Sequence, residues 1–234
     1  IIGERLGNSL GLLLFAWVLS GILGLTLGVL AGAFRGRWPD RLIRGWCLLI
    51  SSTPAFWLAI LLLLVFSVWL GWFPTGLSVP IGVDADSVTF LERLHHAVLP
   101  ALTLSITGVS SIALHTREKM MDVMESDYVL FARARGESLR SIVLRHGVRN
   151  VALPAITLQF ASVSEIIGGS VLVEQVFSYP GLGQAAVTAG LGSDLPLLLG
   201  ITVITAALVF GGNLVADLLY GVVDPKIRRG AARG

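Results

Sequence analysis

Few side chains in this 234-residue chain have the type and spacing for chemistry, and most of them are placed against it. Hydrolysis inside a membrane needs a buried Ser/His pair or two facing aspartates. The four histidines, His95, His96, His115 and His146, all fall in polar segments or at the ends of apolar runs. Asp217 has no second aspartate at its depth, and with Asn213 one turn away it suits a hydrogen-bonded or snorkelling role. Met120, Met121, Met124 and His115 are soft metal-ligand types, but their spacing is that of a packed helix face. The single cysteine, Cys47, excludes an internal disulfide and every cysteine-rich metal site. No G-x-x-x-x-G-K-[ST] loop is present to cradle nucleotide phosphates.

Glu165 is the exception. It stands about eight residues into an apolar run, where an ionised carboxylate costs several kcal/mol unless water or a partner faces it. Two readings are open. It lines a translocation path and meets the cationic part of a substrate, an amine or a metal, or it is a protonated or hydrogen-bonded packing residue beside Ser162 or Ser164.

The elements that position these groups are membrane spans. Hydrophobic residues make up 54% of the chain, charged residues only 14%, and mean hydropathy is +0.81. That is the composition of an integral membrane protein. The net charge of +2 is a small excess among few charges and gives no nucleic-acid-binding surface. Crossing a bilayer takes about 20 apolar residues. Five stretches qualify: 6–34, 45–72, 94–116, 151–173 and 196–222. Pro54 is expected to kink the second, Pro100 to open the third, and Pro154 and Pro196 to stand in the first turns of the fourth and fifth. The expected fold is therefore all-α, one polytopic transmembrane bundle over 1–234. In the first span Ser20, Gly24, Gly28 and Gly32 form a small-residue ridge that lets another helix approach closely.

Charge sets the orientation. Fifteen of the 17 basic residues cluster in three segments: Arg35, Arg37, Arg41 and Arg44; Arg117, Lys119, Arg133, Arg135, Arg140, Arg145 and Arg149; and Lys226, Arg228, Arg229 and Arg233. Loops 73–93 and 174–195 instead carry Asp84, Asp86, Glu92, Glu174 and Asp194. The positive-inside rule then puts the basic segments and the C-terminus in the cytoplasm. An odd number of spans leaves the N-terminus outside, and a further span upstream of Ile1 is expected.

The basic segment 117–149 is built, not merely solvated. Asp127 can cap a helix over 128–135 that Gly136 ends, and Ser138 can cap a second over 139–146 that Gly147 ends. Leu139, Ile142 and Val143 share a face of the second, with Arg140 and Arg145 elsewhere. Two short amphipathic helices at one end of a bundle suit docking of a soluble partner.

These residues carry a family pattern. Asp127-Tyr128, Ala132-Arg133-Ala134-Arg135-Gly136, Arg145-His146, Asn150 and Leu153-Pro154 resemble the cytoplasmic coupling loop of permease subunits in the peptide/nickel class of ABC importers. The similarity continues through Gly168-Gly169, Val173-Glu174, the run Val176-Phe177-Ser178-Tyr179-Pro180-Gly181-Leu182-Gly183 and Asp194-Leu195-Pro196. It extends to Asn213-Leu214, Asp217, Tyr220 and Asp224-Pro225-Lys226, while Trp72-Phe73-Pro74-Thr75-Gly76 is similar to the outer loop of the B-type permease. Leu130 and Phe131 stand where the motif's acidic residue and first alanine would be.

The resemblance implies a subunit of a bacterial or archaeal inner-membrane importer, with no cofactor of its own. A homologous second permease would complete the pore, two cytoplasmic ATPase subunits would hold ATP and Mg, and an extracytoplasmic solute-binding protein would deliver a peptide, nickel or a metal chelate. Asp127, Tyr128, Ala132, Arg133, Ala134, Arg135, Gly136, Arg140, Arg145, His146, Asn150 and Pro154 would couple to the ATPase. There Ala132, Ala134 and Gly136 would be small because its surface comes close. Ser164, Glu165, Gly168 and Gly169 would line the path. Glu174, Phe177, Tyr179, Pro180, Gly181 and Gly183 would form an outer lip facing the binding protein. The competing reading is a secondary transporter or channel acting alone, which usually shows inverted repeats or several intramembrane charges.

Overall fold

The computed structural model describes residues 2–80, 82–83 and 87–223, and every described element is helical. Asp84, Asp86, Asp224-Pro225-Lys226, Arg228, Arg229, Arg233 and the Tyr220 side chain, all singled out above, lie outside the described residues.

The elements are α1 (Ile2–Ala33), α2 (Trp38–Ser51), α3 (Ala55–Leu62, continued by a wider π-type stretch Leu63–Trp69), α4 (Phe90–Met124) and α5 (Asp127–Ala134). They continue with α6 (Leu139–Ile142, then a π-type turn Val143–Gly147), α7 (Val148–Ala161), α8 (Val163–Val176), α9 (Leu182–Leu191) and α10 (Leu195–Val223). Helices α1, α4 and α10 are each long and apolar enough to cross a membrane, and the broken pairs around α2/α3 and α7/α8 raise the number to five if each pair is one span. The chain is thus a multi-pass membrane protein.

Proline placement departs from the sequence reading in three places. Residues 52–54 break the second span outright instead of kinking it, because the residue before a proline avoids the helical region. Pro100 lies inside α4, which begins at Phe90, and Pro154 lies inside α7. Pro196 does stand in the first turn of α10, where its missing N–H costs nothing.

Two compact units make up the chain. One comprises Ile1–Leu19, Thr53–Thr107 and Ser164–Gly211; the other comprises Ser20–Ser52, Gly108–Val163 and Gly212–Gly234.

In the first unit Leu12, Ala16, Ala59, Leu99, Leu104, Ile166, Val173 and Phe177 form one buried cluster. A second joins Leu182 and Ala185 of α9 to Ile201 of α10, with Ile2 and Leu6 packed against it. The loop after α3 is tied down by two imidazoles of α4: His95 donates to the Trp72 carbonyl (2.9 Å) and His96 to that of Gly76 (3.0 Å). The Leu77 N–H donates to the Phe177 carbonyl at 3.0 Å. Both histidines therefore act as structural donors here.

In the second unit the small-residue ridge of α1 meets α4. A Cβ added at Gly24, Gly28 or Gly32 would come within 2.7, 2.5 or 2.5 Å of Ile112, Thr116 or Met120, and those at Gly28 and Gly32 also meet α4 carbonyl oxygens at 2.7 and 2.8 Å. At Gly28 and Gly32 a side chain is therefore excluded by α4 backbone as well as by the Cβ atoms of Thr116 and Met120. Gly28→Ala is expected to cost about 1–3 kcal/mol, the range for overpacking a filled interface, read as a lower unfolding temperature of the purified chain in detergent. Helix α2 is held to α4 by Arg117, which donates to the Asp40 carboxylate through Nε and through Nη2 at 2.9 Å. Asp40 is buried and also accepts the Gly36 N–H at 2.8 Å, so the ion pair has its lone pairs used.

Candidate functional site

Segment 117–149 belongs to the second unit and is shaped by two turns. Helix α5 starts one residue earlier than the sequence suggests: Ser126 takes the N-cap position, and Asp127 is already helical, its charge favourable in the first turn. The Ser126 hydroxyl donates to the Val123 carbonyl and does not cap. At the other end Gly136 adopts φ +81°. Its N–H donates to the Arg133 carbonyl (2.9 Å) and that of Glu137 to Ala132 (3.1 Å), the paired bonds of a Schellman ending. Ser138 then caps the next helix, its hydroxyl accepting the Ser141 N–H at 3.3 Å.

Gly147 does not end that helix. The chain runs from Leu139 through the π-type turn Val143–Gly147 directly into α7. Gly147 has helical torsions, and Met120 of α4 fills the space beside it: a Cβ there would lie 2.4 Å from Met120 Cε, the mobile end of that side chain.

Burial sorts the motif residues into two sets. Val129, Ala132 and Ile142 are buried against one another, with Val123 and Met124 beside them. Ala132 is therefore small because the inside of the segment is full, not because an outside surface approaches it. Asp127, Arg133, Ala134, Arg135, Gly136, Arg140, Arg145 and Asn150 are exposed. Tyr128, half exposed, accepts a bond from Asn150 Nδ2 at 3.3 Å, and the same amide donates to the His146 carbonyl at 2.7 Å. The Tyr128 and His146 rings lie 6.0 Å apart. Asn150 thus braces α5 against α7, and Pro154 sits one turn further along α7 with no N–H to give.

Two groups that sequence reasoning passed over complete the segment. Glu137 gathers Arg135 (3.2 Å), the Ser141 hydroxyl (3.4 Å) and His146 Nε2 (3.5 Å). Leu130, Phe131 and Leu144 are 64%, 68% and 69% exposed, large apolar side chains among the arginines. The departure of Leu130 and Phe131 from the expected motif was visible, but its use was not. A cavity of about 480 Å³ lies under the segment, lined by Arg35, Arg37, Arg133, Glu125, Glu137 and Met121 among others. Arg35 pairs with Glu125 on its rim, where both are exposed and the pair adds little.

The residues expected to form an outer lip are placed differently, in the first unit. Glu174, Phe177, Tyr179, Gly181 and Gly183 are buried and Pro180 half-buried, so a partner cannot touch most of them. They build the seat of α9. Glu174, fully buried, accepts the Ser9 hydroxyl (2.7 Å) and the N–H groups of Gly183 (2.7 Å) and Gln184 (3.2 Å), while the Leu182 N–H donates to Ser9 Oγ at 2.8 Å. Three orphan donors of the α9 N-terminus are satisfied this way, and the carboxylate meets the positive end of the helix. Asn8 donates to the Pro180 carbonyl (3.0 Å) and Arg5 to Gln184 Oε1 (2.7 Å). Burial, and then the neighbouring Glu174 carboxylate, push the Tyr179 phenol above its ordinary value, so it remains a neutral hydroxyl.

Of the expected path residues, Glu165 and Gly168 are exposed and Ser164 and Gly169 half-buried on α8. Glu165 is not packed into the chain. Ser162 spends its hydroxyl on the Gln159 carbonyl at 2.8 Å.

Comparison with known proteins agrees with this architecture. The oligopeptide transport system permease protein AppB of Bacillus subtilis (strain 168) is 39% identical over 229 residues, covering 97% of this chain and 71% of that protein. The glutathione transport system permease protein GsiC of Escherichia coli (strain K12) is 37% identical over 227 residues, 97% of this chain and 70% of its own length. A solved structure of inward-facing conformations of the MetNI methionine ABC transporter matches with a TM-score of 0.73 over 96% of both chains; at 16% identity this likeness is one of fold. Residues 24–229 match the family described as binding-protein-dependent transport system inner membrane component, and with the peptide-permease relatives this shows that the chain belongs to that family.

Proposed function

We propose that the chain is one of two permease subunits of a peptide importer, and that the exposed ridge of α5 and α6 is the seat of a cytoplasmic ATPase. The observation that carries this is the pairing of exposed Leu130, Phe131 and Leu144 with Arg133, Arg135, Arg140 and Arg145 on one braced segment. Exposed large apolar side chains interspersed with arginine are what buried interfaces are made of. The identity to AppB and GsiC supports a peptidic substrate over nickel. The clustering of basic residues supports a cytoplasmic segment 117–149 and a cytoplasmic C-terminus. Partners follow from the role: a second, homologous permease, two ATPase subunits that bind ATP and Mg, and an extracytoplasmic binding protein. The sequence offers no nucleotide loop, so hydrolysis belongs to those subunits.

The test is ATP-driven uptake of a labelled oligopeptide into proteoliposomes holding the complete set of subunits. Uptake should vanish when this chain is omitted, and uptake without ATPase subunits would favour a transporter acting alone. Within that system Phe131→Ala is expected to weaken ATPase retention in pull-down about tenfold or more, as central interface aromatics do. The chain should still insert, because Phe131 is exposed in it. Arg140→Glu should weaken retention less, since an exposed charge contributes about 1 kcal/mol or less. Sidedness is read separately: in a Cys47→Ala background, a cysteine at position 140 should react with an impermeant maleimide only after cells are permeabilised.

A further inference from the structure

Helix α8 turns a narrow face outward: Glu165, Gly168, Leu172 and Gln175, spaced three and four apart, are all exposed, while Ile166, Ile167, Ser170, Val173 and Glu174 are buried on the other side. Within the same unit the outward faces of α1 and α10 read differently. On α1 they are Leu10, Leu14 and Val18, and on α10 Leu195, Leu199, Val203 and Phe210. Those faces suit hydrocarbon. A face holding a carboxylate and a carboxamide does not, because each polar group facing lipid costs free energy that nothing returns. Gly168, one turn from Glu165, has open space where a Cβ would stand, leaving a hollow beside the carboxylate. Among the described residues Glu165 has neither a hydrogen bond nor an ion pair, so its charge is available to something outside the chain.

We propose that this face lines an aqueous path and that Glu165 is a specificity-determining residue there, binding the free ammonium group of an amine-bearing substrate such as a peptide N-terminus. The proposal rests on the importer reading and goes beyond it by naming the group recognised. A carboxylate selects ammonium by charge, Gly168 gives the ammonium room to approach, and Leu172 and Gln175 offer the rest of the peptide an apolar and a hydrogen-bonding neighbour. Each passing substrate is released again because a single exposed carboxylate in a water-filled path binds weakly.

The experiment uses the complete transporter in proteoliposomes, in a Cys47→Ala background. Leu172→Cys is treated with a cationic and an anionic methanethiosulfonate of similar size. With Glu165 present the cationic reagent should react about tenfold faster relative to the anionic one, as local charge in a cleft concentrates counter-ions. In Glu165→Gln the ratio should fall to that of a free thiol. Uptake of labelled trialanine should drop about tenfold in Glu165→Gln and be largely kept in Glu165→Asp. Failure of both reagents to reach the thiol introduced at position 172, in vesicles that transport, would place the face against lipid or the second permease and overturn the proposal. An unchanged ratio, or dissociation of the permease pair in Glu165→Gln, would do the same. Loss of ATP dependence in wild-type vesicles would instead count against the importer reading, while the reagent ratio still decides on Glu165.

Discussion

Gly136→Val is expected to abolish uptake while leaving the chain inserted and paired with its partner permease. The reason is backbone conformation. Gly136 sits at φ +81°, and a β-branched residue there costs about 1–2 kcal/mol or more. No described residue lies within 4 Å of the added Cβ, so the substitution introduces no clash among them. It should relieve its strain by giving up the two bonds that end α5, Gly136 to Arg133 and Glu137 to Ala132, and so turn α5 away from α6. The exposed side chains of α5 would then face a different direction from Arg140 and Leu144. Gly136→Asn is the discriminating companion, because asparagine tolerates left-handed torsions. It should retain most uptake. If the asparagine and valine variants fail equally, the space outside Gly136 matters and its torsion does not.

The second large effect lies at Gly181. A Cβ there would fall 2.3 Å from the Glu174 carboxyl carbon and from Oε2. The carboxylate is fully buried with three donors on it and cannot retreat. Gly181→Ala should therefore strip Glu174 of partners while keeping it inside, at a cost of about 1–3 kcal/mol or more, the penalty for leaving a buried polar group unsatisfied. The expected result is loss of monodisperse protein in detergent and, in any surviving fraction, a sharply lower unfolding temperature. Gly190→Ala, on the same helix with open space around it, should be neutral or stabilise slightly. Equal behaviour of the two variants would mean that the seat of α9 does not hold the unit together.

The contrast between Gly136 and Gly147 shows what was legible in the sequence. Both look like helix-ending glycines. At Gly136 a Ser cap follows two residues later, so local signals agree and the turn forms as read. Gly147 is followed by Val148 and a helical stretch with no cap, and the space beside it is taken by Met120 from another helix. Local sequence carries the first constraint and not the second. The same holds for Glu174: its partner Ser9 stands 165 residues away, so an acidic residue near an expected loop read as surface. Ala132 read as small for a partner's sake because a buried alanine and an interface alanine look alike until the packing is known. The ridge of α1 was legible as a ridge; that α4 is what fills it was not.

That the α5–α6 ridge seats the ATPase is tested most directly by placing the photo-cross-linker benzoylphenylalanine at Ala134, exposed on α5, and at Leu199, exposed on the apolar face of α10. In the assembled, ATP-hydrolysing complex, illumination should join position 134 to an ATPase subunit and leave position 199 without that product. A complex that hydrolyses ATP on substrate delivery yet gives no ATPase adduct from position 134 would contradict the claim.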